Sequence, residues 1–227
     1  MNALLAADIG NADTVLGLLE PDGDDWAVTA HWRISTDEHR TAAEWAVLLR
    51  GLLGERESEV SGIAVCATVP SVLNAWRDML ARHFAQVAPV IVEPGIRTGV
   101  PILVDNPREV GSDRIVNALA AAQLYDGPSI VVDFGTATTF DVVSPRGEYV
   151  GGAISPGIAI SLEALGRRGA QLRKVELLRP RTVIAKNTVE ALQSGALYGF
   201  TGQVDGIVER MAAELGLALD QITVIAT

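Results

Sequence analysis

Apolar and polar residues alternate along this chain in short blocks that predict an α/β protein. Residues 3–9 (ALLAADI) are an apolar run closing on Asp-Ile-Gly, the pattern of a buried strand. Residues 14–19 (TVLGLL) predict a second strand. The turn signal Pro21-Asp22-Gly23-Asp24 leads to a third at 26–34 (WAVTAHWRI), so the chain opens as a three-stranded meander. Thr41 then precedes an apolar-periodic stretch with Glu44 three residues on, a capping box that opens a helix ending near Gly54. A strand at 62–68, a helix at 70–84 with Pro70 in its first turn, and a strand at 88–92 complete a β-β-β-α-β-α-β series.

The segment 94–110 is rich in Pro, Gly and Asn and predicts a connection. Helical spacing returns at 112–125. Three strands follow at 129–135, 138–143 and 148–154, with a turn at Ser144-Pro145-Arg146-Gly147. A helix is expected from about 157, another over 187–215 that its glycines could break, and a last strand at 222–226. The strand–Asp-x-Gly–strand–turn–strand plan thus occurs twice, at Asp8-Ile9-Gly10-Asn11 and at Asp133-Phe134-Gly135-Thr136, 125 residues apart. This spacing, about half the chain, predicts an internal duplication, with one domain over 1–108 and a second over 109–227.

Composition narrows the function. Hydrophobic residues make up 48% of 227, enough for packed cores rather than disorder. Eighteen Lys and Arg against 28 Asp and Glu give a net charge of -10, which argues against nucleic acid and anionic membrane as partners. An anionic ligand would therefore need a site built locally from backbone N–H groups, Arg and metal ions. No apolar run reaches the roughly 18 residues of a bilayer span. The N-terminus lacks the basic region of a signal peptide, so a cytoplasmic protein is expected. The single cysteine, Cys66, lies in an apolar run and is expected to be a buried, inert thiol.

Two features carry candidate chemistry. A turn of the form Asp-x-Gly-[Asn/Thr] between strands lets the backbone approach a ligand, offers consecutive N–H groups to an anion, and places a carboxylate where a metal ion could face that anion. Two copies facing each other could clasp a nucleoside triphosphate, which points to an actin-like, sugar-kinase type of fold. The second feature is Gly111-Ser112-Asp113-Arg114 at a predicted helix start. It admits two readings. One is plain capping. The other sets Asp113 as a base for a substrate hydroxyl beside Arg114 as an anchor for a substrate carboxylate.

Taken together and in order, Asp8-Ile9-Gly10-Asn11, Gly111-Ser112-Asp113-Arg114, Asp133-Phe134-Gly135-Thr136-Ala137-Thr138-Thr139, Gly151-Gly152-Ala153-Ile154-Ser155-Pro156-Gly157 and the segment from Lys186 to Gly195 resemble the type III pantothenate kinases. The resemblance implies the duplicated actin-like (ribonuclease H-like) fold, with a nucleotide cleft between two domains. It implies ATP-dependent phosphorylation of pantothenate in the first step of coenzyme A synthesis, a homodimer, a divalent ion such as Mg2+, and a monovalent cation, K+ or NH4+. Asp8, Ile9, Gly10, Asn11, Ala12, Asp13, Thr14 and Val15 would form the first phosphate loop, with Thr136 meeting ATP from the second. Asp133 would hold the monovalent cation and Asp113 would accept the proton. Gly111, Ser112, Arg114 and Thr188 would contact pantothenate.

The chain departs from the family pattern in three places. Ala12 and Asp13 stand where a hydroxyl residue and a polar residue are usual, so a phosphate contact is lost and a carboxylate is added beside a polyanion. Weakened ATP use is the expectation. Val104 replaces a Tyr that lines the pantothenate pocket in many members. The sequence stops at Val224-Ile225-Ala226-Thr227, where the family usually continues with a glycine pair at the adenosine site and a terminal helix; either it is shortened or that site is incomplete. These departures keep two alternatives open: a weak paralogue with an accessory role, or a kinase of the same fold with another small hydroxyl substrate. Structural roles are expected for His31, His39 and His83 and for the four tryptophans. Glu55, Glu57 and Glu59 read as a solvated turn, and Arg167-Arg168 as a helix end.

Overall fold

The computed structural model describes residues 3–168 and 175–227. The chain divides into two compact units, one of Met1–Arg97 with Asn106–Val116, the other of Thr98–Asp105 with Asn117–Thr227.

The first unit is a five-stranded sheet in the order β3-β2-β1-β4-β5, formed by β1 (Ala3–Ile9), β2 (Asp13–Asp22), β3 (Asp25–Ser35), β4 (Val60–Ala67) and β5 (Pro89–Val92). β1 to β3 are antiparallel neighbours, as the close turns between them require, while β4 joins β1 in parallel through a helical crossover. Alternate residues of β1 and β2, including Leu5, Ile9, Leu16 and Leu18, point into one core.

Two helices cover that face, α1 (Ala42–Leu53) and α2 (Pro70–His83). The capping box forms as expected: the Thr41 side chain accepts from the Glu44 N–H, and the Glu44 carboxylate accepts from the Thr41 N–H at 2.7 Å. Those bonds hold the Glu44 carboxyl below its usual value. α1 buries Trp45, Ala46, Leu49 and Leu53, and α2 buries Val72, Leu73, Trp76, Met79 and Leu80, both at helical spacing. Trp45 and Trp76 meet with ring centroids 5.3 Å apart, and the Arg40 guanidinium lies over Trp45. Trp32 packs partly buried against this core, whereas Trp26 is exposed. The expected solvated turn at Glu55–Glu59 is a short 3-10 helix tied down by ion pairs of Arg50 with Glu57 and of Arg56 with Glu20.

The second unit holds a four-stranded sheet in the order β8-β7-β6-β9: β6 (Ser129–Phe134), β7 (Ala137–Val143), β8 (Tyr149–Pro156) and β9 (Thr223–Ala226). Its directions repeat those of β3-β2-β1-β4, antiparallel across β8-β7-β6 and parallel between β6 and β9. The duplicated strand plan is therefore present, but the connections differ. Two helices, α4 (Ile158–Arg168) and α5 (Thr188–Leu215), both precede the fourth strand, and no counterpart of β5 follows among the described residues. α5 is one continuous helix of 28 residues despite Gly195, Gly199, Gly202 and Gly206. Each glycine costs about 1 kcal/mol in a helix interior. That cost is offset by the Asn187 cap, by Val208 and Ala212 packed on Ile130, Val132, Phe140 and Val142, and by Gln193 and Ser194 bonding to the Glu176 and Val183 carbonyls. α3 (Ser112–Leu124) begins in the first unit and continues into the second. No helix among the described residues is long and apolar enough to cross a membrane.

Candidate functional site

Each Asp-x-Gly motif closes a hairpin. In the first, Ile9 and Thr14 form the last pair and Gly10–Asp13 make the loop, with the Gly10 N–H donating to the Asp13 carbonyl at 2.9 Å. The Thr36 N–H donates to the Ala12 carbonyl, and Thr68 donates to the Ile9 carbonyl through both its N–H and its hydroxyl. The loop is thus held from two sides. Of the eight residues expected at the nucleotide, Asp8, Asn11, Ala12 and Val15 are exposed, and Gly10 and Asp13 are half-buried. Ile9 and Thr14 are not available by their side chains: both are fully buried, and the Thr14 hydroxyl is bonded to that of Thr36 at 2.9 Å. Only their backbone can face a ligand. Asp13 is not an uncompensated charge. Its Oδ2 lies 2.5 Å from Arg33 Nη2 on β3, and this bond holds the carboxyl below its usual value.

The second hairpin is one residue tighter. Phe134 pairs with Thr138, and the Gly135 N–H donates to the Ala137 carbonyl. Gly157, at the start of α4, donates to the Thr136 carbonyl at 3.0 Å. The approach is so close that a Cβ on Gly157 would overlap the Gly135 carbonyl oxygen and lie 2.5 Å from that of Thr136. Gly157→Ala is expected to push the Gly135-Thr136 loop out of place, at about 1–3 kcal/mol of stability. Denaturant unfolding measures the loss, and a change below about 0.5 kcal/mol would show that the loop yields freely. Asp133 is half-buried, with Asn117 Nδ2 donating to its Oδ2 at 3.2 Å, and Thr136 is exposed. A cavity of about 720 Å³ opens beside this hairpin, walled by Phe134, Gly135, Ile158, Leu162, Val175 and Leu177.

Gly111-Ser112-Asp113-Arg114 starts α3, so capping and function share the motif. The Ser112 hydroxyl is buried and donates to the Ala67 carbonyl at the end of β4, 2.8 Å away. It therefore works as a strut, and a substrate could meet this residue only through its backbone. The Asp113 carboxylate folds back over Gly111, where a Cβ would overlap its Oδ1. Any side chain at 111 would displace the candidate base. Cys66, beside Asp8 on the neighbouring strand, links the groups: burial pushes its thiol up to about 12, with Asp8 and Asp113 adding to the rise and a Ser112 hydrogen bond opposing it. Asp8, Cys66, Ser112 and Asp113 thus share one neighbourhood in the first unit.

Thr188 belongs to a different grouping. It is exposed in the first turn of α5, where Asn187 caps the helix and Arg181 grips Glu190 in a two-pronged ion pair. Arg167 pairs with Glu163 one turn earlier, and the Arg168 side chain lies outside the described residues. Val104 runs beside β8 and comes within 3.8 Å of a Cβ built on Gly151. Arg33 and Asn117 escaped the sequence reading. Asn117 stands one helical turn after Asp113, a spacing that could have pointed to it; Arg33 becomes visible only once the β2–β3 register is known.

Comparison with known proteins gives the family and the fold. The family profile described as type III pantothenate kinase matches residues 4–210. A type III pantothenate kinase of Nocardioides sp. is 68% identical over 225 residues, covering 99% of this chain and 86% of that protein. Those of Streptomyces griseus and Thermobifida fusca are each 63% identical, again over 99% of this chain and 86% of their own length. Among solved structures, a protein assigned as a 2-dehydro-3-deoxygalactonokinase from Sinorhizobium meliloti superposes with a TM-score of 0.52 over 98% of this chain and 91% of its own; at 16% identity the likeness is one of fold, the actin-like sugar-kinase fold. Matches of this identity, running almost end to end, show that the chain belongs to the type III pantothenate kinase family.

Proposed function

We propose that this chain transfers the γ-phosphoryl group of ATP to the primary hydroxyl of pantothenate, giving 4'-phosphopantothenate and ADP, the entry step of coenzyme A synthesis. The observation that carries this reading is the near full-length identity to relatives named as type III pantothenate kinases. Phosphoryl transfer asks a protein mainly for positioning and charge neutralisation. Backbone N–H groups of Asn11 and Ala12 in the first loop and of Thr136 in the second receive the phosphates, the Gly10 and Gly135 N–H groups being held by the Asp13 and Ala137 carbonyls. Arg114 grips the pantothenate carboxylate, with Gly111, the Ser112 backbone and Thr188 as further substrate contacts. Asp113 accepts the hydroxyl proton as the oxygen bonds to the γ-phosphorus and the bond to ADP breaks.

The residues fit the expected ions. Among the described residues no three His, Cys, Asp or Glu side chains converge as a metal cluster. Mg2+ in kinases commonly takes one or two carboxylates, with phosphates and waters completing its shell. Asp8, exposed at the end of β1, suits that role. Asp133, steadied by Asn117, would hold the potassium or ammonium ion. Bound there, the ions neutralise phosphate charge. Two copies of the chain would form the working unit, in cytoplasm.

A coupled assay of ADP release tests the reading. Turnover should require pantothenate and should be several-fold faster in potassium than in sodium. ADP release indifferent to pantothenate would overturn the substrate, and equal rates in both salts would remove the Asp133 assignment.

A further inference from the structure

Arg33 occupies a position that its partner Asp13 alone does not explain. In the β1-β2-β3 meander, Asp8 pairs with Val15 and Val15 with Arg33. Residues paired across adjacent strands project from the same face of a sheet. The next row along, Ile9, Thr14 and Ile34, turns into the core. Asp8, Val15 and Arg33 therefore stand on the opposite face, at the end of the sheet that carries the Gly10–Asp13 loop, and all three are exposed. Two inter-strand steps put the Arg33 and Asp8 backbones roughly 10 Å apart. The guanidinium leans along the sheet toward the loop, where its Nη2 lies 2.5 Å from Oδ2 of Asp13 on the adjacent strand β2.

An arginine carries five N–H donors in a rigid fork. The bond to Asp13 engages Nη2, and the side chain remains 72% exposed, so the rest of the fork is open to solvent beside the loop. A carboxylate that holds one edge of a guanidinium also fixes the direction of the other edge. This would turn both departures at residues 12 and 13 to use: Ala12 offers no hydroxyl to a phosphate, but Asp13 aims a stronger, charged donor at the same place.

We propose that Arg33 is a phosphate ligand of the nucleotide in this kinase, with Asp13 as the residue that positions it. The proposal rests on Gly10–Asp13 being the first phosphate loop. It assigns to Asp13 a supporting part in ATP use, where the sequence alone suggested repulsion.

The test is a set of variants measured by steady-state kinetics and by titration with Mg-ADP and with adenosine. Arg33→Ala should raise KM for ATP and weaken Mg-ADP binding by roughly three- to tenfold. Adenosine binding, KM for pantothenate and the melting temperature should stay as they are, because only phosphate contacts are lost. Arg33→Lys should fall between, keeping charge without the fork. Adding Asp13→Asn to Arg33→Ala should not restore affinity. Restoration would overturn the proposal, since Arg33 would then merely cancel the Asp13 charge. Wild-type Mg-ADP binding in Arg33→Ala, or an equal loss for adenosine, would overturn it as well. Asp8→Asn separates this from the underlying reading: if both Asp8→Asn and Arg33→Ala bind Mg-ADP normally, the loop assignment itself fails, whereas a silent Arg33→Ala beside a weakened Asp8→Asn removes Arg33 alone.

Discussion

Asp113→Asn should lower kcat by roughly 10²- to 10⁴-fold while KM for ATP hardly moves. Asparagine has nearly the shape of aspartate, so the packing over Gly111 is kept. The hold on the α3 start is kept too, because it runs through the Ser112 hydroxyl and the Ala67 carbonyl, not through residue 113. What disappears is the ability to take up the proton released as the hydroxyl attacks. The defect should therefore fall on the chemical step. Single-turnover measurement with enzyme in excess separates that step from product release. Turnover within threefold of the parent protein would remove Asp113 from the mechanism and leave the motif as a helix start.

Trp76→Ala should destabilise the first unit by about 3–5 kcal/mol. Trp76 is fully buried, stacked at a tilt on Trp45 and surrounded by the same core as Leu5, Ile9 and Leu49. Its indole N–H has no hydrogen-bond partner, so apolar packing makes up nearly all that is lost. A domain is stable by about 5–15 kcal/mol in all, so this single cavity removes about a fifth of the margin or more. Urea unfolding followed by circular dichroism gives the number, with Trp76→Phe as a milder control. A loss below about 1 kcal/mol would mean that α1 and α2 collapse into the space.

Much of this was legible in the order of residues, for local reasons. The Thr41–Glu44 capping box, Pro70 in the first turn of α2 and the alternation in β1 and β2 are short-range signals, and each led to the element found. Both glycine hairpins were visible because a turn between adjacent strands is written in consecutive residues. What escaped depends on distance along the chain. The Arg33–Asp13 pair needs a 20-residue separation closed by strand register. The burial of Ile9 and Thr14 inside a motif expected to face a ligand follows from which face the sheet turns to its helices. The persistence of α5 through four glycines is decided by its packing and by the Gln193 and Ser194 anchors, not by helix propensity.

Cys66 is the chain's single cysteine, buried at the junction where β4 meets the start of α3 and kept as a neutral thiol by its surroundings. Closed, it is shielded from thiol reagents, so any labelling must pass through an opening of that junction. The chain thus carries a built-in clock: with fast reclosure, the rate at which Cys66 is modified tracks the population of molecules in which the strut to Ala67 has parted. A molecule that organises its candidate base through one serine hydroxyl exposes the same event to chemistry at a sulfur one residue away from the strut's anchor.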